Sequence, residues 1–371
     1  MALLRTALPV LAAALVGLAG LAAHGADDAK KDKDKGKDKS KLKKWENTWT
    51  DPDDKTLPAD FEYQGEYKSE GHGCQVIALD KGRFQAVVFP GGLPGDGWDR
   101  KNRILMDGQL GDKKVTFAAA EGKRSYKASG WEKFSATEKF PPTGQKSYSG
   151  EIEGGVLTIT TDEKSKLTLK KVKRQSKTMG KKPPDSAIVL FDGTNKDEWT
   201  GGVFDEVKKV INTNGDDVRS KKNFTNYSVH LEFMTPFRPG ERDQGRGNSG
   251  FYQVDTYEVQ VLDSFGLEGK RNECGGIYKW RDCPVNACYP PLTWQTYDVD
   301  FTNAVKDGDK IVKKARITVR HNGVLLHDDF ELPGPNGGGR DDKLEGTPGP
   351  FKLQGHGNPV QYRNVWVVDK K

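Results

Sequence analysis

The stretch Asn248-Ser249-Gly250-Phe251-Tyr252-Gln253, followed after a short turn by Tyr257-Glu258-Val259-Gln260-Val261-Leu262-Asp263, decides how this chain is read. Two short runs of alternating residue type, separated by a turn around Asp255-Thr256, predict a β-hairpin. Glu258 and Gln260 are two residues apart, so they point the same way. A sheet face carrying a carboxylate, carboxamides and aromatic rings suits a ligand with many hydroxyls, which needs planar donors and acceptors beside apolar platforms. A sugar is the simplest such ligand.

Short β-type segments extend outward from this hairpin in both directions. Downstream and upstream of it lie Ile188-Val189-Leu190-Phe191, Tyr227 to Phe233, Trp294 to Phe301, Ala315 to Arg320, Gly323 to Leu326, Phe351 to Gln354 and Gln361 to Val368, with a tight Asn-Gly turn at His321-Asn322-Gly323. Many short antiparallel strands over residues 186–371 predict a two-sheet jelly roll. Residues 45–174 carry a second set, including Gly73 to Leu79, Arg83 to Phe89, Gly155 to Thr160 and Lys166 to Leu169. They predict a small β-barrel or sandwich, so the chain is all-β with two β domains. The Lys- and Pro-rich stretch 175–185 reads as the linker between them. The loop Gly91 to Asp99 is Gly-rich but lacks the Lys-Ser/Thr ending of a phosphate loop; it is expected to be a structural turn, with Trp98 a candidate sugar platform.

Residues 1–25 combine one Arg, an apolar run and small residues near Ala23-His24-Gly25, the pattern of a secretory signal peptide. Residues 26–44 are Lys- and Asp-rich, with nine Lys against five Asp from position 27 onward, and predict a disordered spacer. Most of the formal +6 net charge therefore sits in this tail, which argues against nucleic acid as a partner. Once the leader is removed, no stable membrane span is expected; the chain is expected to be exported, to a periplasmic or extracellular location. Oligomeric state is not legible.

The segment from about Ser186 to Asp369 resembles the 3-keto-disaccharide hydrolase domain family, also described as 3-keto-glucoside 1,2-lyase and 3-keto-2-hydroxyglucal hydratase. The resemblance rests on LFDGTNKDEW, NSGFYQ, YEVQVLDSFG, GGIYK, the Trp294 region, HNG, LQGHG and YRNVWV, which occur in the family's order. It implies a concanavalin A-like, laminarinase-type jelly roll and an exported hydrolase that cleaves 3-keto-glycosides. A Cys-containing insertion, from Glu273-Cys274 to Cys288-Tyr289-Pro290-Pro291, departs from the pattern. The N-terminal β domain falls outside the resemblance, and its role is unassigned.

The implied reaction makes definite demands. A ketone at C3 acidifies the C2 proton; its removal lets the C1 group leave, and water adds to the enone. That needs a base, a proton donor for the leaving oxygen, and donors for the enolate. Glu258 is the candidate base, and ordering of a strand pair is its structural alternative. His356, between two Gly residues in Leu353-Gln354-Gly355-His356-Gly357, is the candidate proton shuttle or metal ligand. Arg363 is the candidate fixed cation, either stabilising an enolate or holding Glu258 ionised. Asn248, Gln253, Gln260, Tyr278 and Gln354 are assigned to hydroxyl recognition, Trp294 to ring stacking, and Lys279 and Asp263 stand behind them. A non-catalytic glycan-binding protein is the alternative reading. A further alternative comes from Glu258 to Asp263, which is similar to the Glu-x-Asp-x-x-Glu strand of laminarinase-type β-glucanases, with Gln for the central acid and Asp for the last.

Four cysteines, Cys74, Cys274, Cys283 and Cys288, allow three pairings in an exported chain. A Cys274–Cys288 bridge across the insertion is expected. Their spacing does not fit a zinc cluster. No cofactor is demanded, although Glu258, Asp263 and His356 leave room for a divalent ion.

Overall fold

The computed structural model describes residues 41–370, which form one compact unit. The leader and most of the spacer lie outside the described residues. The end of the spacer, expected to be disordered, is instead docked: the Lys43 amide donates to Asn214 Oδ1 (2.8 Å) and its ammonium meets Asp216 (3.2 Å).

The N-terminal half is a closed barrel. Its strands are β1 (Gly65–Ser69), β2 (His72–Ala78), β3 (Arg83–Pro90), β4 (Ile104–Leu110), β5 (Val115–Ala119), β8 (Ser149–Glu153), β9 (Val156–Thr160) and β10 (Lys166–Val172), with a two-stranded arm, β6 (Ser125–Tyr126) and β7 (Phe134–Ser135), inserted after β5. The ring runs β1-β10-β9-β8-β5-β4-β3-β2 and returns to β1. Strands β2 and β3 are buried along almost their whole length, Gln75 and Gln85 included, because both of their faces are covered. Cys74, Val76, Ala78, Phe84, Ala86 and Val88 fill the barrel interior. Ile77, Val87 and Phe89 point outward onto Phe265, Leu267, Val285 and Leu326 of the C-terminal half. An isolated barrel would expose that second face, so the two halves share one folding unit.

The C-terminal half is a two-sheet sandwich. Its strands are β11 (Ile188–Phe191), β12 (Trp199–Thr200), β13 (Val203–Asp205), β14 (Val210–Asn212), β15 (Val218–Ser220), β16 (Tyr227–Met234), β17 (Ser249–Gln253), β18 (Tyr257–Val261), β19 (Gln295–Thr302), the small hairpin β20 (Val305–Asp307) and β21 (Lys310–Lys313), β22 (Arg316–His321), β23 (Val324–Glu331), β24 (Lys352–Leu353) and β25 (Gln361–Asp369). The larger sheet runs β13-β14-β25-β16-β19-β22-β23, with β11 also on β25; the smaller runs β12-β15-β24-β17-β18. Aromatic rings weld the two inner faces together: Tyr227 of the larger sheet meets Phe351 edge-on at 4.8 Å, and Tyr257 of the smaller sheet packs against Phe301 at 5.7 Å. The linker is fixed rather than free. Thr178 donates to Asp298 (2.7 Å) and the Gly180 amide to Glu232 (2.7 Å), so it lies along the outer face of the larger sheet.

Candidate active site on the smaller sheet

The β17–β18 hairpin turns through Val254 and Asp255, both at positive φ (46° and 52°), with the Thr256 amide bonded to the Gln253 carbonyl at 3.0 Å. This is the primed turn that matches strand twist, but it is built without Gly or Asn, and a β-branched residue at positive φ is strained. Neighbours hold it in place: Arg219 pairs with the Asp255 carboxylate (2.8 Å), and the Arg340 amide binds the Asp255 carbonyl (2.8 Å).

Period two then sorts the side chains. Phe251, Tyr257, Val259 and Val261 enter the sandwich core. Gly250, Tyr252, Glu258 and Gln260 fall on the opposite face. Tyr252 and Glu258 are cross-strand partners, and the Tyr252 hydroxyl donates to Glu258 Oε2 at 2.9 Å. Glu258 Oε1 has no hydrogen-bond partner among the described residues and lies over Gly250, where a Cβ would come within 2.2 Å of it. The Glu258 amide is anchored by Asn336 Oδ1 (2.7 Å).

Lys352 stands opposite Tyr252 on β24, with its ammonium 4.3 Å from the Tyr252 ring centroid and 3.4 Å from Asp217. It also donates to the Gly338 carbonyl. Gln354, two residues on, reaches the Tyr252 hydroxyl at 3.3 Å. Glu258 is 3 % exposed, and burial pushes its pKa up to about 8 against the opposing pull of the Tyr252 hydrogen bond and the charges of Lys352 and Lys279. Burial also raises the Tyr252 phenol, with the Glu258 charge adding to the effect. Near neutral pH the group is therefore a carboxylic acid close to its titration point, beside a phenol that keeps its proton.

A second set of carboxamides adjoins it. Gln244 Oε1 accepts from Asn248 Nδ2 (3.1 Å) and Gln260 Nε2 (3.0 Å), while Gln244 Nε2 holds the Asn272 carbonyl (3.0 Å). Asn248 Oδ1 and Gln260 Oε1 are buried with no hydrogen-bond partner. Buried acceptors of this kind are costly unless a ligand or water supplies the donor. Tyr278 connects through its backbone, its amide donating to the Glu258 carbonyl at 3.2 Å. Tyr278, Lys279 and Asn272 also line a cleft of ≈ 490 Å³ whose other wall includes Tyr126, Lys127 and Glu138 from the barrel arm.

The structure thus brings together Glu258, Gln260, Asn248, Gln354, Tyr278 and Lys279. It adds Tyr252, Lys352, Gln244 and Asn336, none of which sequence reasoning selected. Tyr252 was within reach of that reasoning, since it sits one hairpin partner from Glu258; Lys352 was not, because only the β24–β17 register puts it there.

Several expectations need correction. Arg363 does not serve Glu258: it lies on the outer face of the larger sheet, its Nε 2.7 Å from Glu232 Oε2 and its guanidinium 4.0 Å over the Trp294 ring. Trp294 accordingly packs beside the barrel's apolar cluster and is no sugar platform on this face. Gln253 faces inward with Phe251, accepting from the Tyr227 hydroxyl at 3.1 Å in the core. Asp263 is sealed and paired with Arg246 (2.8 Å), which leaves no free second acid on that strand for a glucanase-type pair. Trp98 is buried, its indole N–H donating to the Asn102 carbonyl (2.8 Å). His356 is exposed in the loop that leaves β24, and its ring takes no hydrogen bond to the Glu258 group.

All four cysteines are free and buried, so the expected Cys274–Cys288 bridge is not formed. The two thiols are nonetheless neighbours: Cys274 Sγ lies by the Tyr297 hydroxyl (3.3 Å) and in hydrogen-bonding contact with Cys288, whose Sγ also donates to the Leu262 and Tyr289 carbonyls (3.6 and 3.4 Å). Cys74 lies in the barrel interior and Cys283 in the cluster between barrel and sandwich, which separates the other pair. Among the described residues no group of three or more His, Cys, Asp or Glu side chains is arranged to hold a metal ion, and no helix is long and apolar enough to cross a membrane.

This sandwich, with a buried carboxyl and a row of carboxamides on one sheet face, is of the carbohydrate-acting kind. Residues 186–368 match the 3-keto-alpha-glucoside-1,2-lyase-like domain, and this half of the chain belongs to that family. The chain therefore carries a carbohydrate-hydrolase domain. Among solved structures, a protein from Parabacteroides distasonis named as a candidate glycosyl hydrolase is 29% identical, with 50% of this chain and 85% of that chain covered, at a TM-score of 0.46. A second from the same organism, named likewise, is 21% identical, with 50% and 95% covered, at a TM-score of 0.35. Comparison with curated proteins yields no significant match.

Proposed function

We propose that the chain cleaves 3-keto-glycosides by elimination and hydration, with Glu258 as the base that removes the C2 proton. The observation that carries this reading is the state of Glu258: enclosed, with a pKa near 8, one oxygen held by Tyr252 and the other free. A carboxylate of that basicity is far better matched to a keto-activated C–H than an ordinary one, because proton-transfer efficiency rises as the base approaches the operating pH. In the first step the C2 proton passes to Glu258 and the C2–H electron pair enters the C3 enolate. The enolate then collapses to a C1=C2 double bond and expels the C1 oxygen, which takes a proton. Water adds back, its hydroxyl to C1 and a proton to C2, so the net change is hydrolysis.

Lys352 supplies the fixed positive charge beside the acid that Arg363 does not. Asn248 and Gln260 offer their unpartnered oxygens to sugar hydroxyls, and Gln354 and Tyr278 flank them. Since the protonated Glu258 can itself return the proton, the sequence of steps needs no second acid, and His356 is left on the rim. Those same unpartnered oxygens also suit a glycan-binding protein without turnover. The apolar leader supports export of the chain.

The deciding experiment incubates the full chain in D2O with a 3-keto-disaccharide and with its unoxidised parent. Free sugar, with deuterium at C2, from the keto form alone and lost in Glu258→Gln supports the reading. Binding without release leaves the glycan-binding alternative, and cleavage of the parent sugar sinks the keto-specific assignment.

A further inference from the structure

The family-matched residues end at the sandwich, yet one wall of the ≈ 490 Å³ cleft comes from the barrel arm. That arm is firmly seated. The Tyr126 hydroxyl donates to Glu273 Oε1 (2.5 Å) and accepts from the Glu268 amide (3.2 Å), and Lys127 meets Asp243 (2.6 Å) and Glu273 (3.3 Å). Asp243 and Asn272 flank Gln244, the residue that orients Asn248 and Gln260. Through Asn272, whose carbonyl accepts from Gln244 Nε2 (3.0 Å), the cleft adjoins the carboxamides beside Glu258.

Its charges are unevenly matched. Lys127 is spent on Asp243 and Glu273, and Lys270 on Glu138 (2.8 Å) and Glu268 (3.2 Å). Arg271 and Lys279 are exposed and have no ion-pair partner among the described residues. Asp282, the remaining carboxylate of the lining, accepts the Arg271 backbone N–H (2.7 Å). Two free cations therefore face one carboxylate, next to Gln260, whose buried Oε1 is unpartnered.

We infer that this cleft is a subsite for the leaving-group side of the substrate, and that Arg271 and Lys279 select a saccharide bearing an anionic group, a uronate or a sulfate ester. The inference rests on the reading of the Glu258 face as a sugar site, and it deepens that reading by naming a substrate class. A carboxylate or sulfate reaching both cations gains charge-assisted hydrogen bonds in a partly enclosed place, where they are screened less than on open surface.

Its test is binding, measured by calorimetry on the Glu258→Gln chain so that turnover plays no part. The probes are cellobiose, cellobiuronic acid and a monosulfated cellobiose. One of the acidic probes is expected to bind about tenfold or more tightly than cellobiose, the effect of one charge-assisted contact. That preference is expected to fall toward unity in Arg271→Ala with Lys279→Ala and to weaken as salt is raised. Which anion is preferred identifies the group. Equal affinity for all three probes, no binding of either acid, or a preference that survives both substitutions overturns the inference. Loss of C2 deuteration with the preference intact would remove the catalytic reading alone.

Discussion

Tyr252 and Glu258 face each other across the β17–β18 pair, the phenol hydroxyl 2.9 Å from Glu258 Oε2. Both are buried and the phenol keeps its proton, so this bond favours the carboxylate over the carboxylic acid. It opposes the effect of burial without cancelling it.

A base must be deprotonated to act, so turnover of a 3-keto-glycoside is expected to rise with pH and to reach half its plateau near pH 8, the pKa of Glu258. Tyr252→Phe removes a hydrogen bond to a charged group, worth about 1.5–3 kcal/mol, and should move that limb upward by about a unit or more. Activity at pH 7 would then fall about tenfold while the high-pH plateau changes much less. A pH–rate profile of both proteins checks this; an unshifted limb would separate Tyr252 from the titrating group.

The same carboxyl leaves a mark on stability. Its folded pKa, about 8, lies above its ordinary value of 4.5, so between those limits the folded state binds more protons than the unfolded one. Stability is therefore expected to fall as pH rises from about 5 to 8, with a slope from this group of at most about 1.4 kcal/mol per pH unit. Urea unfolding across that range should show the slope in wild type and its loss in Glu258→Gln.

The hairpin was legible because its alternation is strict: Tyr257, Val259 and Val261 are apolar, and Glu258 and Gln260 between them are not. Gln253 was misplaced although the same period of two puts it with Phe251; its polarity outweighed its parity. Arg363 failed for a different reason. A register shift between β16 and β25 inserts an extra residue near Asn364, itself at φ 46°, and pairs Arg363 with Glu232 on a sheet that the local sequence does not identify. Lys352 was hidden because a two-residue strand carries almost no periodic signal, and its place beside Tyr252 is set by pairing across a hundred residues of chain.

Gly250 sits beneath the acid. A methyl group there would meet Glu258 Oε1 at 2.2 Å and the Tyr252 ring at 2.9 Å, so one of them must move. Gly250→Ala is expected to lower turnover by about 10² or more, as loss of a positioned proton-transfer group does, while the melting temperature falls only modestly. Wild-type turnover in this variant would show that the Glu258 carboxylate does not need its observed position.

The Arg363–Glu232 pair provides the opposite control. Glu232 is buried, but the His230 ring, the Asn364 amide, Arg363 and the Gly180 amide together hold its pKa down at about 2. A depressed carboxylate pKa contributes stability above the unfolded value of about 4.5, and that contribution is lost as pH falls toward 2. Arg363 is partly exposed, so its share is screened, and Arg363→Met is expected to cost about 1 kcal/mol at pH 7. The deficit should persist down to about pH 3 and shrink only as pH falls through about 2, where folded Glu232 takes up its proton. Because the pair lies on the larger sheet, turnover per folded molecule should stay at the wild-type level. Urea unfolding at pH 7 and pH 2, set beside an activity assay at pH 7, measures both. A loss of turnover at unchanged stability would return Arg363 to the chemistry from which its position on the outer face removes it.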